Sequence, residues 1–403
     1  MHNLPLRVPY GLSVHGNEEI AAVVEVLRTS TQMGKNVACF ETQIARLFAK
    51  HHGIMVNSGS SALYLAMEIL DLPPGSEVIT PCLTFATTVA SIVKHRHVPV
   101  FIDVVDGNYC IDADAIEAAI TPRTKALLIP NLLGNVPDWP CIAEIAKRYK
   151  LAVIEDSADT LGATWGGEPV GRFADISITS FYGSHIINCA GNGGILCVND
   201  DEHLRKARLL RSWGRSSSLF VESEAIENRF NVTLEDIPYD AKFVFETIGY
   251  NFEPSELGAA FGLVQLSKLQ NNIAARQRNF ETLYRFFKQY EQWFVLPETL
   301  PPVATAWLAF PLTIREGAPF TRQQLQIFLE KRNIQTRVVF TGNILRQPGF
   351  RDIQCVKNPT GYPQADHIMR GGFLVGCHHG LNDAMLAHLQ DSFVAFCKSL
   401  EIS

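Results

Sequence analysis

Hydrophobic and polar positions alternate in a regular rhythm up to about residue 200. Short apolar runs rich in β-branched side chains are separated by longer stretches with helical spacing. Strands that alternate with helices predict βαβ units and a mostly parallel sheet, and strands that are apolar throughout indicate helices on both faces. The predicted strands are 54–57, 77–81, 99–104, 126–130, 151–156, 175–181 and 194–200. The predicted helices are 61–70, 87–95, 112–120, 140–150 and 202–212.

The rhythm changes in the second half of the chain. Residues 213–252 are polar and predict a long functional loop. Helical spacing then returns until a proline-rich break at 296–303 ends it. We therefore predict an α/β protein with two domains. The larger domain, 1–270, includes the N-terminal segment and the polar loop, and 271–403 forms a linking helix and a small α+β C-terminal domain.

Composition and charge narrow the functional classes. A net charge of -6 offers no basic field for nucleic acid or an anionic membrane. No apolar run approaches the roughly 18 residues that span a bilayer, and the N-terminal sequence MHNLPLRVPYGLSVHG has no signal-peptide pattern. The nine cysteines show no CxxC or zinc-type spacing. We expect a cytoplasmic protein with reduced thiols, no metal site, and neither nucleic acid nor membrane as a partner.

Three segments carry residues that suit chemistry. NSGSSAL (57–63) joins a strand to a helix, where free N–H groups favour a phosphate, although a plain serine cap explains it equally. Asp156 ends a predicted strand and Asp159 follows, so a carboxylate could hold a cationic ring nitrogen; a helix cap or loop carboxylate is the alternative. His185 lies in a Gly-rich turn, where imidazole can exchange protons near neutral pH, unless it is structural.

The ordered set of these segments resembles the DegT/StrS family of fold-type I enzymes, which use pyridoxal 5'-phosphate (PLP). Further matching segments are PCLTFATTVASIV (81–93), GYNFEPSELGAAFGLVQL (249–266), RVVFTGN (337–343) and FLVGCHHG (373–380). The resemblance implies the fold-type I PLP-dependent transferase fold and a homodimer with a shared active site. The implied cofactor-binding residues are Gly59, Ser60 and Ser180 at the phosphate, Phe85 on the pyridine ring, Asp156 at the ring nitrogen, Asp159, and Asn251, which reaches the phosphate of the neighbouring subunit.

His185 is the informative departure from the aminotransferase pattern. Aminotransferases of the family carry a lysine there and form an internal Schiff base, which imidazole cannot form. Histidine here, and an acid at Asp159 where aminotransferases have Gln or His, resemble the 3-dehydratases of the family. The resemblance implies removal of the C3 hydroxyl of an NDP-4-keto-6-deoxyhexose by pyridoxamine 5'-phosphate (PMP), with His185 as acid/base. GDP-4-keto-6-deoxymannose is the favoured substrate, and glutamate would regenerate PMP.

Other interpretations of the same residues remain open. Some dehydratases of the family hold an iron–sulfur cluster through cysteines, several of which follow the WGR motif. Here serines follow that motif and no cysteine lies between 197 and 355, so we expect no cluster. A non-catalytic paralogue that binds PLP or a sugar nucleotide is one alternative, and a dehydratase for another nucleotide sugar is a second. A true aminotransferase would need a lysine near the ring, and none lies in 151–200.

Overall fold

The computed structural model describes residues 6–220 and 222–401, and a central sheet of seven strands is its main element. The strands are β1 (His52–Val56), β2 (Glu77–Pro81), β3 (Val98–Ile102), β4 (Thr124–Pro130), β5 (Ala152–Ser157), β6 (Ile176–Ser180) and β7 (Gly194–Val198). Their spatial order is β1–β7–β6–β5–β4–β2–β3. Strand β7 is antiparallel to both its neighbours, and the other pairs are parallel. The prediction of an α/β protein with a mostly parallel sheet is confirmed.

Helices follow most strands, and side-chain caps fix where several of them begin. Ser58, Asp138 and Asp200 each accept a hydrogen bond from the amide three residues on, which satisfies a free helical N–H group. No helix within the described ranges is long and apolar enough to cross a membrane. The helices are α1 (Asn17–Arg28), α2 (Lys35–Leu47), α3 (Gly59–Ile69), α4 (Ala86–Lys94), α5 (Trp139–Tyr149), α6 (Asp201–Arg211), α7 (Ile226–Arg229), α8 (Glu256–Ser267), α9 (Leu269–Lys288), α10 (Arg322–Lys331), α11 (Pro363–Gly371) and α12 (Asp383–Ser399).

Apolar side chains cover both faces of the central sheet, as the continuous apolar strands predict. On one face, Met67 of α3 packs in a cluster with Ile154 of β5. On the other face, Trp139 of α5 packs in a cluster with Ile129 of β4. Each fully buried side chain of this size contributes roughly 1.5–3 kcal/mol. The sheet is therefore a rigid platform, and its strand ends are fixed in space.

A second, antiparallel sheet lies in the C-terminal part. Its strands are β8 (Phe294–Val295), β9 (Phe310–Ile314), β10 (Thr336–Val338) and β11 (Gly372–Val375), in the order β8–β9–β11–β10. Leu283 of α9 and Phe393 of α12 share its apolar core. The domain boundary predicted between residues 270 and 271 falls in the first turn of α9, and the division of the chain there stays a prediction.

Two segments differ from the sequence-based expectation. Residues 112–120 were predicted as a helix but form two short 3-10 turns, Ala113–Ala115 and Glu117–Ala119. The side chain of Asp112 holds the amide of Asp114 in a turn at the start of the segment, and the backbone is already extended at Ile120. The predicted polar loop also contains structure, because Val232–Leu234 and Ile237–Tyr239 form a hairpin after α7.

The C-terminal part docks on the loop between β2 and α4. The hydroxyl of Thr341 donates to the carbonyl of Thr84 at 2.6 Å, and the amide of Ile344 donates to the carbonyl of Cys82 at 3.1 Å. The N-terminal segment joins the same region, since Val8 forms a parallel bridge with Ile334. Both contacts bring side chains from distant parts of the sequence to the carboxyl ends of the central strands.

Candidate active site

A cavity of about 390 Å³ lies at the carboxyl ends of β4, β5 and β6. Ligands of parallel α/β sheets bind at this edge, and the volume lies in the range of small-molecule sites. The cavity takes residues from the N-terminal segment, the central sheet and the C-terminal part. The lining residues are Tyr10, Ser58, Gly59, Ser60, Leu63, Thr84, Phe85, Thr87, Thr88, Pro130, Leu132, Asp156, Ala158, Asp159, Ser180, Tyr182, Ser184, His185, Asn192, Gly193, Leu308 and Phe340.

One end of the cavity is built from the start of α3. Ser58 caps the helix by accepting from the Ser61 amide, and the helix start, which is the positive end of the helix dipole, lines the cavity. Gly59 lies so close to β6 that a Cβ there would come within 2.6 Å of the Ser180 Cβ. Glycine thus lets the helix start approach the end of β6, and Ser60 lines the same end. This arrangement suits an anionic group such as a phosphate.

Asp156 closes the floor of the cavity at the end of β5. The residue is 4% exposed, and its carboxylate accepts from the Thr88 hydroxyl at 2.9 Å and from the Ala158 amide at 3.1 Å. None of the described lysine, arginine or histidine side chains forms an ion pair with it. Burial therefore raises the pKa of Asp156 above its usual value. A buried carboxylate without a cation is suited to a ligand that carries one.

His185 is held in a defined tautomer by the loop that follows β6. Its Nδ1 lies 3.1 Å from the carbonyl oxygen of Ser180, which can only accept, so Nδ1 carries the hydrogen and Nε2 has a free lone pair. The guanidinium of Arg276, which is fully buried, donates to the His185 carbonyl at 3.3 Å. Burial, with a further contribution from Arg276, lowers the pKa of His185 to about 4. At neutral pH the imidazole is uncharged and can accept a proton.

Asp159 lies on the same side of the cavity as His185. Its Oδ2 accepts from the amide of Leu133 at 3.0 Å, and its Oδ1 is 4.0 Å from the His185 Nε2. Burial, followed by the charge of Asp156, raises the pKa of Asp159 to about 7. The site thus contains a carboxyl group that is still partly protonated at neutral pH, beside an imidazole that is uncharged there.

Aromatic rings line the open side of the cavity. Phe85 is 53% exposed, and its ring meets that of Phe340 edge-to-face at 6.0 Å between centroids. Tyr182, 58% exposed, lies edge-to-face with His185 at 6.0 Å. Because apolar faces here are open to solvent, a flat aromatic or sugar ring can bury them on binding.

The structure brings seven of the eight predicted site residues together. Those that line the cavity are Gly59, Ser60, Phe85, Asp156, Asp159, Ser180 and His185. Asn251 is not among the lining residues: it is exposed, pairs through its backbone with Ser212, and its carbonyl accepts from the side-chain amide of Asn57, the residue before Ser58. Its predicted reach into a neighbouring subunit stays a prediction. The role of each residue also stays a prediction.

Sequence reasoning missed several lining residues. Thr88, the hydroxyl partner of Asp156, lies inside a segment that carries the family resemblance and could have been found there. Phe340 likewise lies inside the matching segment 337–343, whereas Tyr10 and Leu308 lie outside the quoted segments and no local pattern marks them. Arg276 lies on an ordinary amphipathic helix, so only the folded chain reveals that its charge is buried behind His185.

The residues present fit the predicted PLP-type cofactor. The helix start at Gly59 suits its phosphate, and the unpaired carboxylate of Asp156 suits a protonated ring nitrogen. Lysine is absent from the described residues that line the cavity. The described lining can therefore hold such a cofactor without a covalent bond to a lysine, and the correspondence of His185 to the lysine of the aminotransferases stays a prediction.

Comparison with known proteins agrees with this fold and cavity. The DegT/DnrJ/EryC1/StrS aminotransferase family matches residues 14–394. The dTDP-4-dehydro-2,6-dideoxy-D-glucose 3-dehydratase of Saccharopolyspora spinosa is 37% identical over 410 residues, which cover 97% of this chain and 86% of that protein. The structure of E. coli GDP-4-keto-6-deoxy-D-mannose-3-dehydratase with bound hydrated PLP is similar at a TM-score of 0.87 and 26% identity, covering 96% of this chain and 100% of that one.

A further structure of GDP-4-keto-6-deoxymannose-3-dehydratase holds a trapped PLP-glutamate geminal diamine. It is similar at a TM-score of 0.86 and 26% identity, covering 96% of this chain and 99% of that one. The fold and the cavity define an enzyme of the PLP-dependent sugar aminotransferase and dehydratase class. The chain belongs to the DegT/DnrJ/EryC1/StrS aminotransferase family, which confirms the resemblance and the fold-type I architecture predicted from the sequence.

Proposed function

We propose that this protein is a PMP-dependent 3-dehydratase of a nucleotide-linked 4-keto-6-deoxyhexose. The reaction removes the C3 hydroxyl and leaves a 4-keto-3,6-dideoxy sugar. One observation carries the proposal: the cavity presents a neutral imidazole, His185, where the aminotransferases of the family have a lysine. Two solved dehydratase structures and a 37% identical dehydratase support the same reaction class.

Three sets of residues would hold the cofactor. Gly59, Ser60 and Ser180 bind its phosphate at the start of α3, Phe85 covers the ring face, and Asp156 holds the ring nitrogen in its protonated form. When bound, the cofactor supplies an amine that condenses with the keto group of the sugar and a ring that acts as an electron sink. Asp156 maintains that property because its carboxylate keeps the proton on the nitrogen.

His185 would carry out the proton transfer. Its Nδ1–H is fixed on the Ser180 carbonyl, so Nε2 is the atom that takes a proton. The low pKa of about 4 keeps this nitrogen unprotonated across the neutral range. Imidazole cannot form an imine with the cofactor, so the amine form stays free to react with the sugar. The positioned base contributes typically 10²–10⁴-fold to such a reaction.

We propose that glutamate restores the amine form of the cofactor by half-transamination. The trapped PLP-glutamate adduct in a related dehydratase supports this donor. An iron–sulfur cluster in the polar loop would need thiolates, and no cysteine lies between 197 and 355. We therefore propose a reaction that is independent of a cluster and of a separate reductase.

Two nucleotides are candidates for the group that is linked to the sugar of the substrate. The structural similarity favours a GDP-linked substrate, GDP-4-keto-6-deoxymannose. The 37% identical relative is named for a dTDP-linked sugar, which makes dTDP the competing choice. We further propose a homodimer in which the exposed Asn251 of one subunit completes the site of the other.

An assay with both nucleotides tests the proposal. The protein is incubated with PMP, glutamate and the GDP- or dTDP-linked 4-keto-6-deoxy sugar, and loss of the C3 hydroxyl is followed by mass spectrometry. We expect turnover with one of them, and a fall of about 10²–10⁴-fold in His185→Asn with cofactor binding retained. His51→Asn, at an exposed position before β1, is the matched control.

The opposite results separate the alternatives. Absence of C3-hydroxyl loss with every nucleotide variant would overturn the dehydratase proposal. Ligand binding without turnover, and no glutamate-dependent conversion of PLP to PMP, would identify a non-catalytic paralogue. Amino transfer to the sugar with retention of its C3 hydroxyl would identify an aminotransferase. An unaffected rate in His185→Asn would remove the imidazole from the mechanism.

A further inference from the structure

Asp159 and His185 face each other with one free atom each. The carboxyl group of Asp159 is anchored through Oδ2 on the amide of Leu133, and the imidazole is anchored through Nδ1 on the carbonyl of Ser180. The remaining atoms, Oδ1 and Nε2, are 4.0 Å apart and both residues line the cavity. The side chains are only 12% and 14% exposed. Each anchor thus leaves one atom, Oδ1 of Asp159 or Nε2 of His185, free to give or take a proton in the cavity between them.

We propose that Asp159 is a second catalytic residue, whose protonated Oδ1 donates to the departing C3 hydroxyl while His185 Nε2 accepts the proton removed on the cofactor side. This inference rests on the proposed dehydratase function and assigns the acid and the base to different side chains. It replaces the simpler expectation that His185 performs both tasks and that Asp159 serves only to bind the cofactor.

The electrostatic surroundings support this division. Asp159 is faced by Asp156 and by the phenol of Tyr10. None of the described lysine or arginine side chains forms an ion pair with it, and the facing imidazole of His185 is uncharged at neutral pH. His185 is faced by the buried guanidinium of Arg276, which opposes a positive charge on the ring. With a pKa of about 7 for the carboxyl and about 4 for the imidazole, the carboxyl binds a proton before the imidazole does, and it is partly protonated at neutral pH. Environments that separate two pKa values in this way identify acid and base.

The step balances as an elimination of water. His185 Nε2 gains the proton that is removed on the cofactor side, and the electron pair of that C–H bond moves through the conjugated system towards C3 of the sugar. The C3–O bond breaks with its electron pair on oxygen, which takes the proton of Asp159 and leaves as water. No oxidant or reductant is needed, because the electron pair lost at C3 is replaced by that of the C–H bond.

The pair also explains how the site returns to its starting state. After the step the imidazolium and the carboxylate stand 4.0 Å apart, so each charge stabilises the other in a buried place. That distance exceeds a hydrogen bond and can be bridged by one water, such as the one released. A proton then passes from Nε2 to Oδ1, and no exchange with bulk solvent is required.

Substitution of Asp159 tests the inference in the complete enzyme. Asp159→Asn keeps the shape and the acceptor for the Leu133 amide but has no acidic proton. We expect its turnover to fall by about 10²–10⁴-fold, measured at a saturating cofactor concentration. Asp159→Glu restores an acid and should recover part of the rate. Wild-type activity should decline as the pH rises through about 7, where Asp159 loses its proton, and the remaining activity of Asp159→Asn should lack that decline.

A titration without turnover separates this inference from the proposed function. In the cofactor-free protein with ¹³C-labelled aspartate carboxyls, the resonance missing from Asp159→Asn should titrate at about pH 7. A midpoint near the ordinary aspartate value of about 3.9 would overturn the inference even if the enzyme is a dehydratase. Turnover of Asp159→Asn at the wild-type rate, with the alkaline decline retained, would do the same. An inactive wild type would instead overturn the proposed function.

Discussion

Asp156 sits in an environment that stabilises its neutral form until a cation arrives. The carboxylate has hydrogen bonds from Thr88 and Ala158 but no positive partner among the described side chains. Burial raises its pKa in the folded chain above the unfolded value, so folding favours the protonated form. The contribution of Asp156 to the free energy of unfolding is therefore lost as the pH rises from its unfolded-state pKa through its folded-state pKa. In the absence of a cation, the ionised form of Asp156 therefore lowers the free energy of unfolding.

Asp156→Asn should therefore have opposite effects on stability and on binding. Without cofactor, we expect a higher melting temperature than wild type at neutral pH, since the buried charge is gone. Cofactor affinity should fall by roughly 10²- to 5 × 10³-fold, because breaking a buried charge pair costs about 3–5 kcal/mol. Thermal melts with and without PMP measure both. A destabilised apo variant with normal PMP affinity would show that the carboxylate does not face a cation.

At the scale of secondary-structure elements, the sequence identified most of the strands and helices around the site. Apolar runs and helical spacing suffice to predict β2, β5 and α5, because the local conformational preferences of these residues agree with their packing in the fold. The hairpin at 232–239 was missed although it carries a signal, two β-rich runs separated by Glu235 and Asp236. The turns at 113–119 were mistaken for a helix because their composition favours one, while the side chain of Asp112 holds the amide of Asp114 in a turn.

The close approach of α3 to β6 gives a prediction at this scale. Gly59→Ala places a methyl group 2.6 Å from the Ser180 Cβ, and the helix start must move away from the strand end. Overpacking of this kind costs about 1–3 kcal/mol, so we expect cofactor affinity to fall roughly tenfold to hundredfold. Fluorescence titration with PLP measures it. Gly349→Ala, where a Cβ meets nothing within 4 Å, is the control and should bind normally.

Unchanged PLP affinity in Gly59→Ala would show that the phosphate does not lie at the start of α3. A comparable loss in the Gly349→Ala control would instead indicate a general effect of the substitutions on folding.

For the molecule as a whole, the cavity is assembled from three parts of the chain. Tyr10 arrives with the N-terminal segment, and Phe340 arrives with the C-terminal part through the contact of Thr341 with Thr84. Sequence patterns describe each part separately and contain no information on which surfaces meet. For that reason the strand-end residues were predictable, while the residues that close the cavity from outside were not.

The proposed sharing of sites between subunits predicts complementation. His185→Asn and Asn251→Ala homodimers should each be strongly impaired. In a mixed dimer, one site combines the intact His185 of one subunit with the intact Asn251 of its neighbour, and activity should return. Turnover is measured after the two variants are unfolded and refolded together, with each variant refolded alone as the control. Recovery absent from verified mixed dimers would place Asn251 outside the neighbouring site.

Three hydrogen bonds of the loop that carries His185 use the main chain of the loop. The amide of His185 donates to the Tyr182 carbonyl, its carbonyl accepts from Arg276, and Gly183 pairs with Gly191. None of these three bonds uses the imidazole. The side chain at this position can consequently be exchanged without the loss of these three bonds. If the proposed function holds, we therefore expect that a change between amino transfer and dehydration in this family needs few substitutions in the loop.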